Sequence, residues 1–106
     1  MYPKRLFETC NAKPLEKHRF CQCGVVSSGI DNYSLISYDT VVIEVYDGTM
    51  YINGLYSQTT KKHIVYFLEE YYPKVNFKNV KYAYEHHLNI TVGLSAKYVE
   101  KGRENI

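Results

Sequence analysis

The densest polar chemistry in the chain is the run Thr59-Thr60-Lys61-Lys62-His63. It falls where a helix is predicted to begin. Ser57, Thr59 and Thr60 are all N-cap residue types, and Ile64, Phe67, Leu68 and Tyr71 follow at the spacing of a core-facing helical stripe. Free backbone N–H groups, hydroxyls and two ammonium groups at a helix N-terminus form a donor set suited to a phosphate or carboxylate. The helix dipole favours the opposite charge order, with acids first and bases last. Lys61 and Lys62 in the first turn and Glu69 and Glu70 in the last each cost about 0.3–1 kcal/mol when exposed. One reading makes Ser57, Thr59, Lys61, Lys62 and His63 an anion-facing contact. The other pairs the lysines with acids of the preceding hairpin and leaves only a screened surface cost.

Two further clusters could carry chemistry. Cys10, His18, Cys21 and Cys23 have the donor types of a tetrahedral zinc site, in the spacing C-x7-H-x2-C-x-C. Structural sites ordinarily use C-x2-C knuckles, and a strand through Phe20–Val26 would instead turn Cys21, Cys23 and Val25 inward together. An odd number of cysteines argues against a disulfide framework. The expectation is reduced thiols, no metal and no cofactor. Glu85-His86-His87, with His63 as a third imidazole, could supply acid–base groups. Neighbours on a strand face opposite ways, however, and no nucleophile with a matched base accompanies them. No glycine-rich phosphate loop or paired carboxylates occur, so no enzyme activity is expected.

Asp47-Gly48 is the dipeptide a two-residue type I′ turn prefers, because both residues need φ > 0. That turn sets Tyr46 opposite Thr49, Val45 opposite Met50, Glu44 opposite Tyr51 and Ile43 opposite Ile52. Ile43, Val45, Met50 and Ile52 then share one face, with Val41 a step further. Glu44, Tyr46, Thr49, Tyr51 and Asn53 share the other. Pro73 ends the helix predicted over 58–72, whose stripe packs on the apolar hairpin face. The predicted core is Ile43, Val45, Ile52, Ile64, Phe67 and Leu68.

The rest is less regular. Residues 1–19 read as an irregular N-terminal arm, 27–32 as a loop, and 35–46 as strand interrupted near Tyr38-Asp39. Beyond Pro73 the alternation of Val80, Tyr82, Tyr84, His86, Leu88, Ile90 and Val92 predicts one long strand or two short ones. A helix across 78–88 is the alternative, since Val80, Tyr84 and Leu88 also fit its period. A short helix near 96–101 and a frayed tail over 102–106 complete a single α+β domain of 106 residues. An antiparallel hairpin and sheet pack there on one main helix.

Charge is distributed in blocks. Residues 1–24 hold five Lys/Arg and two Glu, residues 25–60 four acids and no Lys or Arg, and residues 61–106 eight Lys/Arg and five Glu. An acidic hairpin thus lies between two basic segments. These blocks either attract one another in the fold or present two surfaces of opposite sign. A net charge of +2 is too small to imply nucleic-acid binding by itself. Twelve tyrosines and no tryptophan exceed what a small core can hold, so tyrosine is expected on a binding surface. A codon bias toward A and T would produce the same excess.

The hairpin-helix segment resembles short proteins encoded by phages, plasmids and low-GC Gram-positive bacteria. The residues concerned are Ser37-Tyr38-Asp39-Thr40, Asp47-Gly48, and Tyr56-Ser57-Gln58-Thr59-Thr60-Lys61-Lys62-His63-Ile64. They follow a pattern S-Y-x-T, a glycine-containing hairpin, then Y-S-x-T-T-x-x-H-I, over about a third of the chain. The resemblance carries no site residues with it. It implies a mobile-element setting, in which small proteins commonly bind and obstruct a host machine, anti-CRISPR and other anti-defence inhibitors foremost. The partner implied is a host defence protein or nucleoprotein complex, met by Glu44, Tyr46 and Tyr51 and by the helix start. A small nucleic-acid-binding module using the basic helix N-terminus is the alternative. No stretch approaches the ~20 apolar residues of a membrane span, and residues 1–10 lack a signal-peptide core. A cytoplasmic location in a bacterial or phage-infected cell is expected, and a homodimer stays open.

Overall fold

The computed structural model describes Leu6, residues 10–55 and residues 57–99. Five antiparallel strands lie in the order of the chain, β1 (Cys23–Ser27), β2 (Tyr33–Ser37), β3 (Thr40–Tyr46), β4 (Thr49–Ile52) and β5 (Ile90–Thr91). Helices α1 (Gln58–Tyr71) and α2 (Phe77–Glu85) are inserted between β4 and β5.

The β3–β4 hairpin has the predicted register, Ile43 to Ile52, Glu44 to Tyr51, Val45 to Met50 and Tyr46 to Thr49. Asp47 (φ 51°) and Gly48 (φ 79°) both take the left-handed conformation the turn demands. Ile43, Val45 and Met50 are buried, and Ile52 is half-buried against them. Val41 departs from expectation. Leu35 pairs with Ile43 but Ile36 pairs with Val41, so Val42 is an extra residue in β3. This bulge shifts the alternation by one. Val42 is fully buried and Val41, beside Ile36, only half so.

The interruption at Tyr38-Asp39 is a second tight hairpin. Ser37 and Thr40 are the last pair before it, and Tyr38 takes φ 55°. A positive φ is uncommon for a bulky residue. The Tyr38 N–H bonds to the Gln22 carbonyl at 2.8 Å, and Asp39 Oδ1 accepts from the Leu6 N–H at 3.0 Å. Both bonds hold the turn from outside.

α1 starts at Ser57, whose hydroxyl accepts from the Thr60 N–H, and ends at Tyr72 just before Pro73. Ile64, Phe67, Leu68 and Tyr71 are buried as the stripe predicted, and Thr60 and His63 are buried with them. They join Leu35, Ile43, Val45 and Met50 in one core.

The strand predicted over 80–92 is corrected in its first half to helix α2, in agreement with the alternative of a helix across 78–88. Asn76 and Asn79 cap its start reciprocally, each side chain accepting from the other's backbone N–H. His87 (φ 56°) closes its end, with the Leu88 N–H returning to the Ala83 carbonyl. Val80 and Ala83 face the core, while Tyr82, Tyr84 and Leu88 are exposed. Only Ile90 and Thr91 of the predicted run are strand, paired with Met50 and Thr49.

Residues 10–22 contain no strand or helix, but they are tied down. Lys13 and Val25 exchange two backbone hydrogen bonds at 2.8 and 2.9 Å, and Leu15 is fully buried. Ala12 crosses β1 at Gly24, where any Cβ would stand 2.7 Å from that of Ala12. Ile36, opposite Gly24, is buried on the same face of the sheet. The face turned away from α1 is thus closed over β1–β2 and open over β3–β4. A helical turn spans 96–99, and the tail expected over 102–106 lies outside the described residues.

Candidate functional site

The open part of the outer face presents Glu44, Tyr46 and Tyr51. Tyr46 is 63% exposed and Tyr51 41%. The ribbon beneath them is held on several sides. Asn53 Nδ2 donates to Glu44 Oε1 at 3.1 Å and to the Val41 carbonyl at 3.0 Å, and the Asp47 N–H donates to Asn32 Oδ1 at 3.0 Å. The opposite face of the same two strands is core. Two tyrosines and a carboxylate therefore stand in solvent on a ribbon hydrogen-bonded at its edges and packed on the core from behind.

The helix start is built differently from the expected anion cradle. Ser57 Oγ accepts from the Thr60 N–H at 3.1 Å and donates to Thr60 Oγ1 at 3.1 Å. Thr60 Oγ1 lies 3.4 Å from Ser37 Oγ, which in turn lies 2.7 Å from His63 Nδ1. Ser37, Thr60 and His63 are all buried. The hydroxyls form an inward chain, and His63 belongs to the core and not to the outward helix-start surface. Burial pushes its pKa below the ordinary histidine value. The ring also meets Tyr38 at 5.5 Å between centroids. Of the residues named for the helix start, Ser57, Thr59 and Lys62 are exposed and Lys61 is half-buried. Neither lysine makes an ion pair among the described residues.

Two segments distant in sequence thus meet in space. Ser37 and Tyr38 come from the end of β2 and the turn after it, and Ser57, Thr60 and His63 from the cap and first turns of α1. Ser37 and His63 are a nucleophile type and a base type in contact, but both are closed to solvent and no described carboxylate bonds to His63. What the chain does is lock the helix start to the turn.

The reversed charge at the other end of α1 has a local explanation. Glu70 Oε1 accepts from the Glu16 N–H at 2.6 Å, and Lys97 Nζ lies 3.5 Å from Glu70 Oε2 and 2.7 Å from Glu16 Oε1. The Lys97 ammonium lowers the Glu16 pKa. One basic side chain therefore answers two carboxylates. Nearby, buried Ser95 caps the last helical turn. Its Oγ accepts from the Tyr98 N–H and donates to Asp31 Oδ1, its N–H donates to Asp31 Oδ2 at 3.0 Å, and the Tyr33 hydroxyl lies 3.2 Å away. These polar groups fasten the C-terminal segment to the sheet.

The proposed zinc donors are not gathered. Among the described residues no three His, Cys, Asp or Glu side chains stand in metal-binding proximity. Cys23 points into the core, where burial raises its thiol pKa to about 12. Cys10 is exposed, and His18 lies flat on the ring of Tyr66. His86 ends α2 and packs on Tyr82 one turn earlier, while His87 turns away in the left-handed conformation. The sequence reading missed the inward role of Ser37. Its phase in β2, in register with buried Leu35, could have signalled it.

Sheet, helices and buried polar chain define a small α+β domain with one outer half-face left open. The model of a family of unknown function (DUF8033) matches residues 9–83, and the chain belongs to that family. The match takes in β1 to β4, α1 and most of α2. No curated protein and no solved structure matches the chain. No described helix is long and apolar enough to cross a membrane.

Proposed function

We propose that this protein binds a macromolecular partner through the open half-face of its sheet and obstructs it, with no turnover of its own. The observation that carries the reading is the placement of Tyr46 and Tyr51 in solvent on the β3–β4 ribbon, with Glu44 beside them. Tyrosine at an interface gives large contact area at low entropic cost, and a preorganised support lowers the ordering cost of binding. The Ser57 and Thr60 hydroxyls and His63 are engaged internally, which leaves Lys61, Lys62 and Thr59 as a peripheral contact for anionic groups of the partner. The resemblance to short phage and plasmid proteins favours a cytoplasmic host defence complex that targets nucleic acid, in the manner of an anti-CRISPR inhibitor.

The test is inhibition stoichiometry against such a complex. Cleavage by the purified complex should fall linearly with added protein and stop at equimolar addition. Tyr51→Ala should weaken inhibition more than Glu44→Ala, since central aromatics contribute about 2 kcal/mol or more while rim charges mainly tune association rate. Substoichiometric inactivation would mean catalysis and would overturn the proposal.

A further inference from the structure

We propose that a stripe of aromatic and basic side chains, from the first turn of α1 to the loop before β1, binds single-stranded nucleic acid. Exposed Lys62 and half-buried Tyr66 are one turn apart on α1, so their side chains are neighbours. His18 stacks on Tyr66 with centroids 3.5 Å apart and planes 9° from parallel. The chain then runs through exposed Arg19 to Phe20, which stands completely in solvent. Lys17, also exposed, precedes the stacked histidine.

Burying a phenylalanine is among the larger gains open to a small fold, and here it is forgone. A purely apolar partner would leave Lys17, Arg19 and Lys62 without water or counterion. Phosphates answer those cations, and base faces answer the rings. A duplex hides its base faces within the stack, whereas a single strand offers them. Exposed Glu69 bounds the stripe, and the neighbouring Glu70 is already engaged by Lys97 and the Glu16 N–H. His18 and Tyr66 place the stripe against α1, so it shares Lys62 with the peripheral contact proposed above but neither Tyr46 nor Tyr51.

The experiment is fluorescence anisotropy of the full chain with a labelled oligothymidine of about twelve nucleotides and with a duplex of equal length. The single strand should bind more tightly than the duplex. Three phosphate contacts predict a log–log salt slope of about −2. Phe20→Ala, which removes no packing contact in the fold, should weaken binding roughly tenfold, within the range measured for one stacked base. Lys62→Glu should weaken it further, while Lys81→Glu on α2 should leave it unchanged. Absence of binding at about 50 mM salt would overturn the proposal. So would equal duplex affinity with no effect of Phe20→Ala, or equal losses from Lys62→Glu and Lys81→Glu. Polyglutamate binding as tightly as the oligonucleotide, with the same dependence on Phe20, would assign the stripe to an acidic protein and overturn it too.

Discussion

Ser37 Oγ lies 2.7 Å from His63 Nδ1, joining the end of β2 to the second turn of α1 inside the core. Around this contact Ser57 and Thr60 complete a hydrogen-bonded chain that reaches the helix cap. A buried polar group that loses its partner carries a desolvation cost of about 1–3 kcal/mol. Ser37→Ala should lower unfolding free energy by about that amount in urea titration, and a shift within error would show the contact to be dispensable.

The same contact predicts a pH dependence. Burial depresses the folded-state pKa of His63, while the unfolded chain titrates near the ordinary value of about 6.5. Below that pH the unfolded state binds a proton the folded state refuses, so stability falls as pH falls and is regained as pH rises through about 6.5. One such group contributes a slope of at most about 1.4 kcal/mol per pH unit. Urea melts of the wild type and His63→Gln from about pH 5 to 7 should differ in slope. Parallel curves would place the ring in solvent.

The core gives a sharper stability test. Phe67 is completely buried and packs against Tyr71 and Tyr72. Phe67→Ala should cost about 3–5 kcal/mol, a large share of what a small domain has. A fall in melting temperature of only a degree or so would contradict the assignment.

At the other edge, Gly24→Val would force the segment through Ala12 off β1, because even a Cβ meets Ala12 at 2.7 Å. Amide hydrogen exchange at Lys13 should accelerate by orders of magnitude while exchange within α1 changes little. Unchanged Lys13 protection would mean that the segment can shift without losing its bonds to Val25.

The thiols should separate by burial. Exposed Cys10 should react with an aromatic disulfide reagent in the native protein, whereas Cys23, buried and with its pKa raised to about 12, should react only on unfolding. Fast native labelling of Cys23 would place it outside the core.

The legible parts of this fold were those fixed by local chemistry. Asp47-Gly48 specifies its turn, and the turn specifies which of Glu44, Tyr46 and Tyr51 face water. Ser57, the apolar stripe and Pro73 bound α1 in the same way. What escaped depended on contacts distant in sequence. Tyr38 takes a positive φ in a turn where its N–H donates to the Gln22 carbonyl and Asp39 accepts from the Leu6 N–H, and Val42 forms a bulge because β2 and β3 lose register between Leu35 and Ile36. Residues 77–85 fit both periods, and their helix rests on an Asn76–Asn79 cap that lacks the usual Ser/Thr and Glu. At the helix start, residue types alone did not distinguish hydroxyls aimed at a ligand from hydroxyls aimed at Ser37 and His63.

The central claim is that the β3–β4 half-face meets a macromolecular partner, and site-specific photocrosslinking tests it most directly. A benzophenone side chain would replace Tyr46 or, as a comparably exposed control on α2, Tyr82, and the protein would be irradiated in the host cell. A discrete protein adduct at position 46, absent at position 82 and lost on adding Tyr51→Ala, is the predicted result. An adduct at position 82 with none at position 46 would contradict it.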